Sequence, residues 1–306
     1  MWSPRNMDKL LLHGAALLTV SAWGVSFVSS RILMDNDFSP TEVFICRTFL
    51  AYLLLVMLCH KCLMANSWGD EALFLASGLC GSSLYFIAEN TAMQYTLVSN
   101  VSLIVTLSPI ITAVLVAIFY HNEKLSRGMF VGSAIAFVGV GLVVFNSNFS
   151  LSIKPLGDML AFAAAVSWAV YSLVIRKLSA IYTPLFITRK TFFYGLLTAL
   201  PFLLFEQDTQ LEWSVFMRPV VIGNLLFLGV FCSLIAFYLW SWIVKGMGAV
   251  MANNYIYVSP IITLIASWLV LGETITIVGI SGCALILIGV WLSERLKVKR
   301  PDRRPV

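Results

Sequence analysis

Charge is what this sequence has least of. Of its 306 residues only 11% are Asp, Glu, Lys or Arg, against roughly 25% in an ordinary soluble domain. With 59% hydrophobic residues and a mean hydropathy of +0.90, the chain cannot cover itself with polar surface. That excludes a water-soluble globular protein and makes lipid its natural solvent. Histidine is scarce as well: His13, His60 and His121 are scattered along the chain, so no metal site is expected. No Walker-type glycine loop occurs, which excludes an internal ATPase drive, and no cofactor is expected. Six cysteines lie nearly all in apolar runs. Cys59 and Cys62 form a C-x-x-C around His60, but no further ligands accompany them, and they read as structural thiols.

The net charge of +5 does not imply a nucleic-acid partner. Arg295, Lys297, Lys299, Arg300, Arg303 and Arg304 are crowded into a basic tail, residues 295–306, and the other basic residues punctuate the ends of apolar runs. Such a distribution belongs to membrane topology. The N-terminal run from Leu10 to Ile32 is long enough to span, and no small-residue cleavage site precedes a polar region, so it reads as a first helix and not as a signal peptide.

What is present is apolar sequence in ten stretches, each near the ~20 residues that cross a bilayer. They are Leu10–Ile32, Val43–Cys59, Ala72–Ala92, Val98–Tyr120 and Gly128–Phe145, then Met159–Ile175, Leu185–Phe205, Val220–Val244, Ala249–Leu271 and Ile275–Leu292. With the N-terminus in the cytoplasm, Arg5, Lys9, Lys61, Lys124, Arg127, Arg176, Lys177, Lys245 and the tail all fall inside and, leaving aside Arg47, Arg189 and Lys190 within or beside helices, only Arg31, Lys154 and Arg218 fall outside. The positive-inside rule therefore predicts both termini in the cytoplasm.

The two halves repeat. Trp23-Gly24-Val25-Ser26-Phe27 is answered by Trp168-Ala169-Val170-Tyr171-Ser172, and Arg31 by Arg176 at the same spacing. Ser108-Pro109-Ile110-Ile111-Thr112 recurs identically as Ser259-Pro260-Ile261-Ile262-Thr263, and Gly132 and Gly139 return as Gly282 and Gly289. Five helices per half is an odd number, so the second copy enters the membrane from the opposite side. The expected fold is an all-α integral membrane protein of ten transmembrane helices, two inverted five-helix repeats over 1–146 and 155–294. Inverted repeats characterise secondary transporters, because exchanging the conformations of the halves exchanges inward-open for outward-open.

The paired Ser-Pro-Ile-Ile-Thr segments, the acidic residue near the start of each half's last helix (Glu123, and Glu273 in a Leu-Gly-Glu) and the glycine-spaced helix that follows resemble the EamA family of the drug/metabolite transporter superfamily. The resemblance runs from about Leu10 to Leu292. It implies a ten-helix fold around a central cavity, moving amino acids or other small metabolites, often as export, across a bacterial inner membrane.

Glu89 is the sharpest candidate for chemistry. It sits in the third apolar run, away from the loop ends, where a carboxylate costs on the order of 3 kcal/mol and normally faces a cavity or a partner. The spacing of Ser82, Tyr85 and Glu89 predicts one shared helical face, fit for binding an amine or carrying a proton; the alternative is local pairing near the outer interface. The matching position in the second half is about Trp240, so this charge breaks the repeat symmetry. Arg47 and Lys190, with Arg189 beside the latter, occupy matching places at the starts of the second and seventh helices. They are expected to snorkel to the interface or meet lipid phosphate; alternatively, the planar fork of Arg47 would hold a substrate carboxylate.

Pro109 and Pro260 lie near mid-helix and deprive the carbonyls of Val105 and Ile256 of partners, a device that serves bending and gating as well as packing. Asn253, Asn254 and Tyr257 give the ninth helix a polar face, and Asn100 does the same for the fourth; these amides could bind substrate or fasten helices. Trp23 and Trp168 are too deep for an interfacial belt and either stack on a ligand or pack the core. The glycines allow close helix approach, between the last helices of the halves or between the subunits of a homodimer. Asp35-Asn36-Asp37 reads as a turn, and Asn148-Phe149-Ser150 is a sequon whose use depends on the host. The expected partners are a small-molecule substrate and membrane lipid. Export of cationic compounds would use the same acid and aromatics; nucleotide-sugar carriage would need a basic cluster that is missing. A membrane-embedded lipid-modifying enzyme would need catalytic groups clustered at one membrane face.

Overall fold

A computed structural model describes residues 4–59, 63–95, 101, 104–120, 127–144, 155–203, 213–271 and 276–295. All the regular structure among them is helical, as it must be where apolar chain has only itself to satisfy its backbone polar groups. In the first half these are α1 (Pro4–Met34), α2 (Pro40–Leu58), α3 (Trp68–Tyr95), α4 (Ser108–Phe119) and α5 (Arg127–Val144). The second half holds α6 (Pro155–Leu178), α7 (Pro184–Leu203), α8 (Pro219–Met247), α9 and α10 (Ile277–Arg295). α9 runs from Ala249–Asn254 through a 3-10 turn at Tyr255–Val258 into Ser259–Leu271. Six of the described helical spans, including α1, α2, α3, α6 and α8, are long and apolar enough to cross a membrane.

Local signals explain where these helices start and turn. Asp35, Asn36 and Asp37 form the predicted turn, with Asp37 at φ 73°, and Ser39 then opens α2 as a capping box. Its hydroxyl accepts from the Glu42 amide at 3.1 Å, and its own amide donates to Glu42 Oε2 at 2.8 Å. Gly248, at φ 88°, reverses the chain directly from α8 into α9, a conformation only glycine adopts without strain. α3 and α8 each contain a wider π-helical turn, at Leu79–Ser83 and Phe227–Ile235. These are matching places in the two halves, and neither was legible from apolar periodicity.

The halves interleave. α1 crosses α9 as α6 crosses α4, and α2 packs on α8 as α7 packs on α3. α5 and α10 lie against each other, with Gly139 facing the backbone of Gly282 and Gly289 facing that of Gly132 and Ala136. Of the two glycine roles expected, packing between the last helices of the halves is therefore present. The main core is aromatic. Phe237 is ringed by Trp23, Trp168, Tyr171, Phe86 and Phe192 at centroid distances of 5.0–6.1 Å.

Candidate functional site

A cavity of about 40 Å³ lies where the two halves meet. From the first half, α1 contributes Trp23 and Ser26, α3 contributes Tyr85, Phe86 and Glu89, and Thr106 and Ser108 lead into α4; the second half contributes Trp168 from α6 and Ile256 and Ser259 from α9. The space takes a few waters.

Glu89 is 6% exposed and forms the polar pole of this cavity. Tyr85, one turn earlier, donates its hydroxyl to Glu89 Oε1 at 2.9 Å. The next residue, Asn90, donates its side-chain amide to the Pro40 carbonyl at 3.2 Å, which ties this part of α3 to the start of α2. The carboxylate is thus held in the wall of the cavity.

Trp23 and Trp168, matched in the repeat, meet edge to face at 5.1 Å and both line the cavity. Each indole N–H is engaged: Trp23 donates to the Cys232 carbonyl and Trp168 to Asn253 Oδ1, both at 3.0 Å. Tyr85 packs on Trp168 at 4.9 Å, and Trp240, the repeat counterpart of Glu89, closes the group at 5.0 Å from Trp23. Trp23 and Trp168 pack the core and at the same time form cavity wall.

The prolines sit beside the same space. Pro109 is in the first turn of α4, and Pro260 in the first turn after the 3-10 segment of α9. The missing donors therefore coincide with helix starts, where none is needed, and the break in each helix falls just upstream. Ser108 and Ser259, immediately before the prolines, line the cavity, and the Ser108 hydroxyl is buried with no hydrogen-bond partner among the described residues. Neither serine was singled out from sequence, although the repeated Ser-Pro pair was the signal that could have found them. Gly24 lets α1 approach this break: a Cβ there would lie 2.9 Å from the Ser259 carbonyl oxygen.

Several expected site residues stand elsewhere. Ser82 does not share the face of Tyr85 and Glu89. The π turn at Leu79–Ser83 carries an extra residue in its turn, and the Ser82 side chain meets Gly195 of α7 instead. Asn253 donates to Ser172 Oγ at 3.0 Å and to the Ala249 carbonyl at 2.8 Å; it fastens α9 to α6 and holds Trp168. Asn254 Oδ1 accepts from Ser133 of α5 at 3.4 Å. Tyr257 is buried against Ala136, Val140 and Ile286, away from the cavity. Asn100, Glu123, Glu273, Asn148 and most of the basic tail lie outside the described residues.

The expectation that Arg47, Arg189 and Lys190 snorkel is overturned: they are 1%, 2% and 4% exposed. Lys190 on α7 pairs with Glu71 on α3 at 2.7 Å, and Tyr194 donates to the same carboxylate at 2.6 Å. Arg189 donates to the Cys59 carbonyl. Arg47 stacks its guanidinium on the Phe86 ring at 4.4 Å and donates from Nε to Ser233 Oγ at 2.9 Å. The physical reason is the interleaving of the halves, which places the starts of α2 and α7 against α8 and α3 and not against lipid. The partner acid Glu71, in the first turn of its helix, went unnoticed because that position reads equally well as a helix-start residue.

A sequence profile of the EamA-like transporter family matches residues 11–145 and again 155–295. The chain belongs to this family. Several relatives are named transporters. An uncharacterized transporter of Archaeoglobus fulgidus is 26% identical over 282 residues, covering 91% of this chain and 96% of its own. The uncharacterized transporter YvbV of Bacillus subtilis is 26% identical, covering 94% of this chain and 92% of its own. A protein of Streptantibioticus cattleyicolor named a probable terminal-alkyne amino-acid exporter is 23% identical, with 94% of each chain covered. One solved crystal structure superposes with a TM-score of 0.70 at 20% identity, over 94% of this chain and 98% of that one, and shows the same fold. This EamA protein is accordingly a multi-pass membrane transporter and not an enzyme.

Proposed function

We propose that this EamA transporter carries amino acids or similar amine-bearing metabolites outward across a bacterial inner membrane by alternating access, with Glu89 as the group that meets the substrate amine and exchanges protons. In this reading all of α1–α10 cross the bilayer, both termini are cytoplasmic, and residues 1–146 and 155–294 are the two units that rock about the cavity. The observation that carries it is the Tyr85–Glu89 pair, a buried carboxylate in the wall of a cavity shared by both halves. An intramembrane acid in such a place is a natural site for a cation or a proton. The name of the Streptantibioticus relative supports amino acids as the class to try first.

The surrounding aromatic rings favour a second reading, export of cationic or quaternary amines, since Trp23, Tyr85 and Trp168 line the same cavity as the carboxylate. The deciding experiment is flux of labelled amino acids into and out of proteoliposomes, with and without a pH gradient, for wild type and Glu89→Gln. Saturable flux that responds to pH only in the wild type is expected. Flux indifferent to both would remove Glu89 from coupling, and folded protein that moves quaternary amines but no amino acid would establish the second reading.

A further inference from the structure

Arg47 is a buried cation with unspent hydrogen-bonding capacity. It is 1% exposed, its one hydrogen bond among the described residues goes to the neutral Ser233 hydroxyl, and its Nη2 has no partner. No ion pair joins it to any described carboxylate. Burying a guanidinium without an anion costs several kcal/mol, and in a membrane such residues mark pathways of charged ligands. Lys190, its counterpart in the repeat, shows the compensated case: Glu71 neutralises it at 2.7 Å.

Only one ring separates this cation from the cavity. Phe86 lines the cavity with Tyr85 and Glu89, and the Arg47 guanidinium lies over that ring at 4.4 Å. A negative pole in the wall and a positive pole behind one phenyl ring match a molecule with an ammonium at one end and a carboxylate at the other. We infer that Arg47 is the carboxylate anchor of this transporter, reached when Phe86 swings aside, so that the site selects zwitterionic α-amino acids over amines that lack the acid group. The planar fork of Arg47 suits a carboxylate in bidentate fashion. The inference rests on the amino-acid reading above and narrows it to the free acid.

The test compares uptake of L-phenylalanine, L-leucine and L-threonine with that of their amides in proteoliposomes, for wild type, Arg47→Gln, Arg47→Lys and Phe86→Leu. Wild type should move at least one free acid about tenfold or more faster than its amide at limiting concentration. Arg47→Gln should erase that ratio by lowering acid flux while leaving the amide within about twofold, and Arg47→Lys, which keeps the charge but not the fork, should fall between. Phe86→Leu stays apolar and removes the stacked ring; it should change KM for the acid by a larger factor than KM for the amide. A wild type that treats acid and amide alike, or an Arg47→Gln that keeps the preference, overturns the inference while leaving transport intact. If Arg47→Gln does not fold, equal effects of Arg47→Lys and Phe86→Leu on acid and amide overturn it. Absence of flux for every acid and amide in the folded wild type overturns the amino-acid reading together with it.

Discussion

At the scale of single residues, the cavity depends on groups that hold one another in place. The Tyr85 hydroxyl is the described side chain bonded to Glu89, at 2.9 Å, and hydrogen bonds to a charged group contribute about 1.5–3 kcal/mol. Tyr85→Phe keeps the ring against Trp168 and removes that bond alone. Apparent KM for the transported metabolite should rise about tenfold with maximal flux nearly unchanged, read from the concentration dependence of uptake. Glu89 and Tyr85 were legible in sequence because an acid in an apolar run is rare and its neighbour one turn away must share its face. Ser82 was misread because a π turn does not show in composition. Arg47 and Lys190 were misread for a different reason: a basic residue near a helix start looks the same whether the helix meets lipid or another helix. Only tertiary packing separates the two.

At the scale of elements, the tie between α3 and α7 is a buried ion pair with its own hydrogen bonds. Glu71 accepts from Lys190, from Tyr194 at 2.6 Å and from the Ala65 amide at 2.7 Å, and Tyr182 reaches across to Asp70 at 2.8 Å. At the matching junction of α2 with α8 the buried cation Arg47 bonds the neutral Ser233 hydroxyl instead of a carboxylate. Breaking a buried pair by removing one partner strands the other charge and costs about 3–5 kcal/mol, whereas removing both is far milder. Lys190→Met should therefore lower the unfolding midpoint in detergent strongly, and adding Glu71→Gln to it should restore much of the loss. A double variant no more stable than the single one would show that the ion pair is not what joins these helices. The broken helices α4 and α9 form a second matched pair of elements. Restoring a donor with Pro260→Ala should leave the midpoint within about 1 kcal/mol, since the proline stands in a first turn that has no partner for it. Any effect on flux would then report the bend itself.

At the scale of the whole molecule, long-range order follows from the repeat, and most of it was open to reading. Apolar runs marked the helices, and the doubled Ser-Pro-Ile-Ile-Thr and glycine spacings marked the halves. The interleaving was not legible, because identical short motifs show which elements correspond but not which of them touch. The contact of α5 with α10 shows how narrowly that packing is specified. Gly139 and Gly141 are two residues apart on one helix, yet a Cβ on Gly139 would lie 2.7 Å from both the Gly282 carbonyl oxygen and the Ile286 amide nitrogen, while one on Gly141 would meet nothing within 4 Å. Backbone atoms cannot step aside as a flexible side chain can, so Gly139→Ala must push the helices apart and forfeit the close packing that holds them. Gly141→Ala adds only a better helix former, worth up to about 1 kcal/mol. The first substitution should lower the melting temperature of the purified transporter by several degrees and the second should leave it equal or higher. Equal effects at the two positions would mean that α5 and α10 are not packed through Gly139, and that the closure of the two halves on each other rests on other contacts.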